Sequence, residues 1–267
     1  MEKFAASYHR NYYGKADVIV YRLNREGGQV FGANVTMLLY GDAFWPTYTT
    51  GDNTQLIATD SMKNFIQREA LNFTGADLEG FCGFLAEKFF TKYPQTEGIL
   101  VKATEIPYVG TVAFIPGGPD RAFASIEIDR TGVVEERSGI HGFRLLRLGG
   151  SAFAGFVRDE YTTLPDIANR PLHMWLDLEW LCSERAMLTR EVREIVHGVF
   201  HSFESGSIQQ VIYQIGTKML NELPVVTEVR LDANNRTWDQ IVAQGETTAV
   251  YTDPRPPYGV LGLTLRR

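Results

Sequence analysis

Hydrophobic and polar positions change their spacing several times along the first half of the chain. A strand is predicted over 16–23, which is rich in β-branched residues, and a second over 29–40, where apolar residues alternate with small or polar ones. Helical spacing follows, because Met62, Phe65 and Ile66 would share one face of a helix that begins near Thr59. A further helix and two further strands complete this half, over 77–90, 98–105 and 122–129.

The second half of the chain repeats this order of elements. Two strand patterns come first, over 143–163 and 172–181. Two helical patterns follow, over 190–203 and 207–220, and then two further strands, over 226–233 and 259–266. Lys88 and Pro94 recur as Lys218 and Pro224, at an interval of about 130 residues that is far longer than a solenoid repeat. The sequence therefore predicts an α+β fold of two β-β-α-α-β-β units, which would occupy residues 1–135 and 136–267.

Each unit is expected to place two helices on one face of an antiparallel sheet. The other face of the sheet would then need a partner surface, and symmetric association of copies is the common solution. The boundary between the units is expected within 130–142, which contains the turn signal Thr131-Gly132.

Composition and charge narrow the class of protein. The chain has 267 residues and a net charge of −6, with scattered Lys and Arg, so nucleic-acid binding is not expected. Cys82 and Cys182 lie far apart and form no CxxC pair, which argues against a disulfide framework or a zinc site. No signal peptide and no apolar stretch of membrane-spanning length is found in the sequence. A cytoplasmic protein without nucleic-acid or membrane partners is predicted.

Local motifs for common chemistries are weak. His197 and His201 lie four apart on a predicted helix, but the glutamate of an HExxH zinc motif is missing, so a packed or partly exposed pair is favoured. The sequence has no phosphate-binding glycine loop and no GxSxG serine motif. Thr59 and Asp60 alone would be an N-cap and an acidic residue at the positive end of a helix. The segment PRPPYG, residues 254–259, is expected to be a rigid loop.

Six segments taken together carry a more specific signal. They are YYGKADV (12–18), GDNTQLIATDSMKNFIQ (51–67), FVRDEYTTLPDIANRPL (156–172), SIQQVIY (207–213), NNRTWDQIV (234–242) and YTDPRPPYG (251–259). In this order they resemble the cofactor-independent urate oxidases, particularly the bacterial branch, across nearly the whole chain. The resemblance implies two tandem tunnelling-fold (T-fold) units per subunit and a tunnel-shaped homotetramer with active sites shared between subunits. It also implies that O2 oxidises a planar heterocycle without a cofactor or metal.

The resemblance assigns catalysis to one group of residues. Lys15 and Thr59 would be the proton-handling pair, and Asp60 would contact the substrate ring through its backbone or side chain. Asn234 would lie beside the oxygen or water site above the ring. Because lysine is normally cationic, a basic Lys15 needs burial or neighbouring positive charge to favour its neutral form, and the threonine hydroxyl would then relay the proton.

A second group of residues would hold the heterocycle. Phe153 would stack on the flat ring, while Arg170 and Gln209 would clamp its polar edges. Leu164 and Ile208 would line the pocket, with the Ile208 backbone helping to hold the ring. In the family, the group of one subunit that contains Lys15 faces the group of another subunit that contains Arg170.

One position departs from the family pattern. The family usually has a histidine two residues after the active-site asparagine, where this chain has Arg236. Arginine stays protonated and cannot shuttle protons, so it is not an equivalent replacement. Arg236 could favour neutral Lys15 by like-charge repulsion, or bind an anionic substrate or peroxide intermediate. Alternatively, its side chain could turn to solvent, or the local alignment could slip by one residue.

Three hypotheses follow from these residues. The first is a urate oxidase of purine degradation, which converts urate, O2 and water to 5-hydroxyisourate and hydrogen peroxide. The second is a related oxidase, for instance of specialised metabolism, that acts on another planar N-heterocycle, and Arg236 motivates it. The third is a non-catalytic protein that binds a purine or pterin, which would keep the ring-binding residues but would not need Lys15 or Thr59.

Overall fold

Strands and helices alternate along the chain in two similar series. The computed structural model describes residues 10–110, 113–237, 239–245 and 248–267, with the backbone alone at 114 and 237. The strands are β1 (Tyr13–Asn24), β2 (Gln29–Tyr40), β3 (Gly98–Glu105), β4 (Tyr108–Gly110), β5 (Phe114–Pro116), β6 (Arg121–Asp129), β7 (Gly132–Phe153), β8 (Ile167–Cys182), β9 (Val226–Thr237), β10 (Gln240–Gln244), β11 (Thr248–Tyr251) and β12 (Arg255–Arg266). The helices are α1 (Trp45–Thr49), α2 (Thr59–Asn72), α3 (Leu78–Lys92), α4 (Thr189–Ser202) and α5 (Ile208–Glu222), with a 3-10 turn at Asp42–Phe44.

The first unit, which ends at Ser138, packs two helices on one face of a sheet. Its main strands follow the order β1-β2-β3-β6, and each neighbouring pair is antiparallel. Ala33, Val35, Met37 and Leu39 of β2 are fully buried and alternate with more exposed residues, as expected for a sheet with one covered face. Helix α2 packs on β1, and α3 packs on β3 and β6, so the core lies between the sheet and the helices.

The second unit begins at Gly139 and has the same plan. Its main strands follow the order β7-β8-β9-β12, and β9 is antiparallel to both β8 and β12. Met174, Leu176, Leu178 and Trp180 are buried at alternate positions of β8. Helix α5 packs on β9 and β12 and against α4, and these contacts enclose a second hydrophobic core.

The internal repeat predicted from the sequence is confirmed. Helices α3 and α5 are both 15 residues long and begin at Leu78 and Ile208, which reproduces the interval of about 130 residues. The main elements of each unit follow the order strand, strand, helix, helix, strand, strand. The boundary expected between residues 135 and 136 falls within β7, as does the division after Ser138.

Two predicted elements differ in the structure. The strand expected over 143–163 is wrong at both limits, because β7 begins at Gly132 and ends at Phe153. Gly155 then adopts a φ of 73°, which strands do not use, and its N–H donates a 3.1 Å hydrogen bond to the Asp166 carboxylate. The rigid loop expected over 254–259 is also wrong, because β12 begins at Arg255 with a shift of register against β9.

Several short elements were not predicted. Helix α1, the 3-10 turn and the two-stranded sheets β4-β5 and β10-β11 are too short for periodicity to indicate. Within the described ranges, no helix is both long and apolar enough to cross a membrane.

Candidate active site

Lys15 lies next to a bulge in β1. The register with β2 shifts between Lys15 and Val18, so two residues of β1 face one residue of β2. Asp17, inside the bulge, has a φ of 56°, which is rare for a residue with a side chain. Its carboxylate accepts a 3.1 Å hydrogen bond from the Asn34 amide, which fixes the distorted turn. Bulges re-aim the side chains beside them, and here the half-buried residue beside the bulge is Lys15.

Tyr13, two residues earlier, holds the loop that leads into α2. The backbone N–H of Ile57 donates a 2.9 Å hydrogen bond to the Tyr13 hydroxyl. The Tyr13 ring packs edge-on against buried Phe44, with 4.9 Å between the ring centroids. Burial raises the pKa of Tyr13 to about 12, so the hydroxyl stays neutral as an acceptor. Because Ile57 lies two residues before the first residue of α2, this contact brings the N-terminus of α2 to β1.

The prediction that Thr59 is an N-cap is wrong. Helix α2 begins at Thr59 itself, Ala58 occupies the cap position, and no side chain caps the helix. Ala58 has extended dihedral angles, with φ −57° and ψ 135°. The cap residue therefore lies one position earlier in the sequence than the pattern indicated. The Thr59 hydroxyl is exposed and has no hydrogen-bond partner among the residues that the structure describes. It is not used as a cap and can therefore contact a ligand.

Asp60 uses its carboxylate within its own helix. The two oxygens accept hydrogen bonds of 2.5 Å from Lys63 Nζ and 2.9 Å from the Asn64 amide. The contact with Lys63 chiefly holds the pKa of Asp60 below its ordinary value, and Lys15 adds a smaller effect in the same direction. The positive charge of Lys15 is therefore close enough to Asp60 to stabilise its carboxylate. The backbone N–H groups of Thr59 and Asp60 lie in the first turn, where helix geometry leaves them without an intrahelical acceptor.

Arg147 of β7 joins its strand to the C-terminal end of α4. Its guanidinium donates hydrogen bonds of 3.0 Å to the Gly150 carbonyl and 2.9 Å to the Phe203 carbonyl, and a further one to the Phe200 carbonyl. Burial lowers the pKa of Arg147 from its ordinary value, but arginine remains cationic under such shifts. The side chain thus satisfies carbonyls that the end of α4 leaves without intrahelical donors.

The end of β7 is bonded to the loop before α5. The N–H of Ser205 donates a 2.9 Å hydrogen bond to the Gly150 carbonyl, and the N–H of Ala152 donates a 2.7 Å bond to the Ser205 carbonyl. Phe153 follows Ala152 directly, and Ser207, the cap of α5, follows two residues after Ser205. These bonds bring Phe153 and the start of α5 to the same region of the second unit.

Helix α5 presents Ile208 and Gln209 in its first turn. The Ser207 hydroxyl caps the helix by accepting a 3.2 Å hydrogen bond from the Gln210 N–H. Ile208 is buried, whereas Gln209 is exposed and directs its amide away from the core. The N–H groups of both residues have no acceptor within the helix, because they lie in its first turn. This helix end can therefore bind carbonyl or anionic groups.

Phe153 and Arg170 lie together near this helix end. The guanidinium carbon of Arg170 is 5.8 Å from the Phe153 ring centroid, and Phe153 stacks on Phe156 with 5.0 Å between centroids. Burial lowers the pKa of Arg170, and its Nε is buried with no partner in the described part of the chain. Leu164 is 42% exposed in the turns after β7, where its carbonyl accepts a 3.4 Å hydrogen bond from Arg158.

A cleft of about 360 Å³ opens where β8 and β9 diverge. Arg170 and His173 line it from β8, Arg236 lines it from β9, and Gln240 and Tyr251 line it from the small β10-β11 sheet. Arg170 therefore connects the cleft with the Phe153 ring. A larger hollow of about 840 Å³ lies at the turn between β1 and β2, but it contains none of the predicted site residues.

Arg236 lines this cleft and is partly buried. Its guanidinium carbon lies 3.8 Å from the centroid of Trp175 and 4.0 Å from that of Tyr258. Each such cation–π contact is worth about 0.5–2 kcal/mol, depending on desolvation. Tyr258 reaches Arg236 because the register of β12 shifts between Arg255 and Gly259. The Nε of Arg236 is buried, and no described residue accepts a hydrogen bond from it.

Asn234 lies two positions before Arg236 on β9, and therefore on the same face of the strand. Trp175 of β8 is directly opposite Asn234. The Asn234 Oδ1 is buried and has no hydrogen-bond donor among the described residues. Since buried polar atoms are almost always satisfied, this oxygen is suited to a ligand or a water molecule.

Five side chains that shape these surroundings were not predicted: Tyr13, Arg147, His173, Trp175 and Tyr258. Tyr13 and Tyr258 lie inside segments that carry the family resemblance, so the signal for them was proximity in sequence. Arg147, His173 and Trp175 have no local signal, because their roles depend on contacts between strands distant in sequence.

His197 and His201 are both exposed on α4. Their rings pack edge-on against Phe143 and Phe200, at centroid distances of 6.1 Å and 5.7 Å. The favoured interpretation as a partly exposed pair is confirmed. Across the described ranges, no group of three or more potential metal ligands occurs.

Comparison with known proteins matches both units. The sequence pattern of the uricase family matches residues 11–130 and 136–261. The chain is 36% identical to the uric acid degradation bifunctional protein PucL of Bacillus subtilis, over 89% of this chain and 54% of that protein. It is 33% identical to the uricase of Haloferax volcanii, over 91% of this chain and 94% of that protein. The chain thus spans only about half of the bifunctional relative, but nearly all of the Haloferax volcanii uricase.

Solved structures agree with the sequence matches. The urate oxidase from Bacillus sp. TB-90 superposes with a TM-score of 0.90 at 34% identity, covering 96% of this chain and 100% of that chain. This likeness confirms the predicted α+β architecture of two tandem T-fold units. Since the family pattern matches nearly all of both units and the same fold extends over almost the whole chain, the chain belongs to the uricase family.

Proposed function

We propose that this protein is a urate oxidase of purine degradation, which converts urate, O2 and water to 5-hydroxyisourate and hydrogen peroxide. The observation that carries the proposal is the position of Arg170 beside Phe153, with a buried Nε that no described residue satisfies. A planar anion with carbonyl groups on its rim fits this pair, because the aromatic ring supplies a stacking face and the guanidinium supplies a rigid donor fork.

The first turns of two helices supply the remaining ring contacts in this proposal. The Gln209 amide offers both a donor and an acceptor to the edge of the heterocycle, and the Ile208 N–H points from the same helix end. The Asp60 N–H plays the corresponding part on α2, since its carboxylate is already bonded to Lys63 and Asn64. Leu164, which is 42% exposed in the turns after β7, would line the pocket.

Proton transfer is assigned to Lys15 and Thr59. Neutral Lys15 would take a proton from the heterocycle through the Thr59 hydroxyl, and the electron-rich anion would then give two electrons to O2. Asn234 would lie beside the O2 or water site above the ring, and a water molecule there could donate to its buried Oδ1, which has no donor among the described residues. Arg236 would stabilise negative charge that develops on the ring or on the reduced oxygen, without itself exchanging protons.

We also propose a homotetramer in which each active site is shared between subunits. Lys15, Thr59 and Asp60 belong to the first unit, whereas Phe153 and Arg170 belong to the second. In the described sheet order, β1 and β12 each have a neighbour on one side only. Exposed apolar residues on these strands, such as Tyr21 and Val260, support association along the strand edges.

A cytoplasmic location is proposed from the two free cysteines, Cys82 and Cys182, since reduced thiols persist in a reducing compartment. The net charge of −6 supports a small-molecule substrate over nucleic acid.

The proposal is tested by oxygen uptake and urate absorbance with the purified protein. Wild-type protein should consume urate and O2 in equal amounts and release hydrogen peroxide without an added cofactor. Arg170→Met should raise the KM for urate by roughly tenfold to a hundredfold, because loss of a charged hydrogen-bonding group costs about 1.5–3 kcal/mol. Arg190→Met is the matched control, since Arg190 is 81% exposed on α4.

Two results would overturn the proposal in different ways. A folded oligomer that ignores urate but consumes O2 with another planar purine or pterin would move the chain to the second hypothesis, a related oxidase. Tight binding of urate without any oxygen uptake would leave only the non-catalytic hypothesis.

A further inference from the structure

His173 and Arg236 lie just beyond the end of the ladder between β8 and β9. The last pair of the ladder between these strands joins Met174 to Asn235, and His173 and Arg236 are the next residues along each strand. Both line the cleft, together with Arg170. His173 has no distinguishing signal in the sequence, because its neighbours on β8 form an ordinary apolar strand pattern.

The two arginines of the cleft cannot transfer protons. A guanidinium stays protonated at any pH at which the protein is folded. Arg236 is in addition held between the rings of Trp175 and Tyr258, at 3.8 Å and 4.0 Å. The function of Arg236 in the cleft is therefore electrostatic. If a proton is accepted within this cleft, a different side chain has to accept it.

The other described histidines lie elsewhere. His141 contacts the Glu179 carboxylate at 3.0 Å, and His197 and His201 are exposed on α4. His173 is the histidine that lines this cleft. Imidazole is the side chain whose ordinary titration lies near neutral pH, so it suits the exchange of a proton during turnover.

The surroundings of His173 favour its neutral form. Burial is the largest cause that lowers the pKa of His173, followed by the positive charge of Arg144 on β7. Asp253, in the segment before β12, raises this pKa by a smaller amount, and Arg236 on β9 adds the smallest lowering. A neutral imidazole at neutral pH has a lone pair that can accept a proton.

We propose that His173 accepts a proton from the water molecule that the reaction consumes, while Arg236 stabilises the negative charge left behind. An O–H bond of water breaks, an N–H bond forms on the imidazole, and the electron pair stays on the oxygen, which adds to the oxidised ring. O2 remains the oxidant, as in the proposed urate oxidase function on which this inference rests. The proton returns to solvent or to the reduced oxygen when product leaves.

The test compares His173→Gln and His173→Ala with the wild-type protein. Both variants should lower kcat by roughly a hundredfold or more, with little change in KM for urate, because proton transfer and not ring binding is lost. The pH profile of kcat should lose the step that titrates with His173, and added imidazole should restore part of the rate of His173→Ala. His197→Gln is the control, since His197 is exposed on α4, outside the cleft.

A second measurement does not require turnover. The ring signals of His173, assigned in NMR spectra by comparison with His173→Gln, should shift when urate is added in the absence of O2. Wild-type kcat and pH profile in His173→Gln, or absence of rescue by imidazole, would overturn this inference and leave the proposed function intact. A wild-type protein that never oxidises urate would refute the proposed function, and this inference with it, whether or not the NMR signals shift.

Discussion

At the scale of single residues, Glu79 is a carboxylate placed where burial disfavours its charge. It lies in the first turn of α3 and is 6% exposed, with a 2.7 Å hydrogen bond from the Ser138 hydroxyl. Burial raises the pKa of Glu79 above its ordinary 4.5, and the nearby charges of Asp77 and Glu136 add to this effect. The Ser138 bond offsets part of the rise because it stabilises the ionised form.

Glu79→Gln should therefore make the protein more stable at neutral pH. A raised pKa means that the stability contributed by the protonated carboxyl is fully present below pH 4.5 and is lost as pH rises through the folded-state pKa. Glu79→Gln removes this loss. At neutral pH its free energy of unfolding should therefore be higher by about 1.4 kcal/mol for each pKa unit between the folded and unfolded states. Denaturant unfolding between pH 4 and pH 8 measures it. Glu87→Gln, at an exposed position of the same helix, should leave the pH dependence unchanged.

Arg236 is a second example at the scale of single residues, because its residue type did not indicate where its side chain lies. Its sequence position allowed electrostatic, solvent-facing and misaligned interpretations. Two aromatic rings from β8 and β12 flank the guanidinium, which favours the electrostatic interpretation over the solvent-facing one. Neither ring is close to Arg236 in the sequence.

At the scale of elements, the start of α2 depends on β1. The Tyr13 hydroxyl accepts the Ile57 N–H, and Ile57 is only 5% exposed, so water is poorly placed to replace this acceptor. The bulge at Asp17 and the tyrosine at position 13 lie on either side of Lys15. The strand that carries Lys15 therefore also holds the start of the helix that carries Thr59.

Tyr13→Phe should lower the free energy of unfolding by about 1–3 kcal/mol, because it leaves a buried N–H without an acceptor. It should also reduce kcat more than it changes KM for urate, since the helix start that carries Thr59 loses its tie to β1. Unfolding curves and steady-state kinetics measure the two effects. Tyr161→Phe, which alters a tyrosine that is 82% exposed, should change neither quantity. An unchanged kcat in Tyr13→Phe would show that the tie does not position Thr59.

At the scale of the whole molecule, the two outer strands carry apolar residues on exposed faces. Ile19, Tyr21 and Leu23 of β1 are each at least half exposed, and Val260 of β12 is 78% exposed. Exposed strand edges with apolar residues promote pairing with another chain. This pattern motivates the proposed tetramer with shared sites.

Tyr21→Lys combined with Val260→Lys should dissociate that assembly, because charges on edge strands oppose pairing. Light scattering coupled to size-exclusion chromatography should show a lower mass than for the wild type, and urate turnover should fall with it. Met187→Lys is the control, since Met187 is a 65% exposed residue in the turn before α4. A doubly substituted protein that keeps both tetrameric mass and turnover would contradict association through these strands.

The sequence by itself determined the elements and their repetition. Burial on alternate positions sets β2 and β8, and the 3.6-residue spacing of Met62, Phe65 and Ile66 sets α2, because a one-sided core imposes these periods locally. The segments around Lys15, Thr59 and Arg170 also carried the family resemblance. The predictions were wrong or incomplete where the spacing of hydrophobic residues carries little signal, as in the turns after Phe153 and the short β10-β11 sheet.

Only the tertiary structure decided how the side chains of the site are held. The bulge beside Lys15, the Arg147 bonds to the end of α4 and the cleft that His173 and Arg236 both line each depend on residues that are distant along the chain. Such contacts depend on strand register and on burial in three dimensions, neither of which local periodicity records. The chemistry of the cleft is therefore a property of the folded sheet, although every residue in it is visible in the sequence.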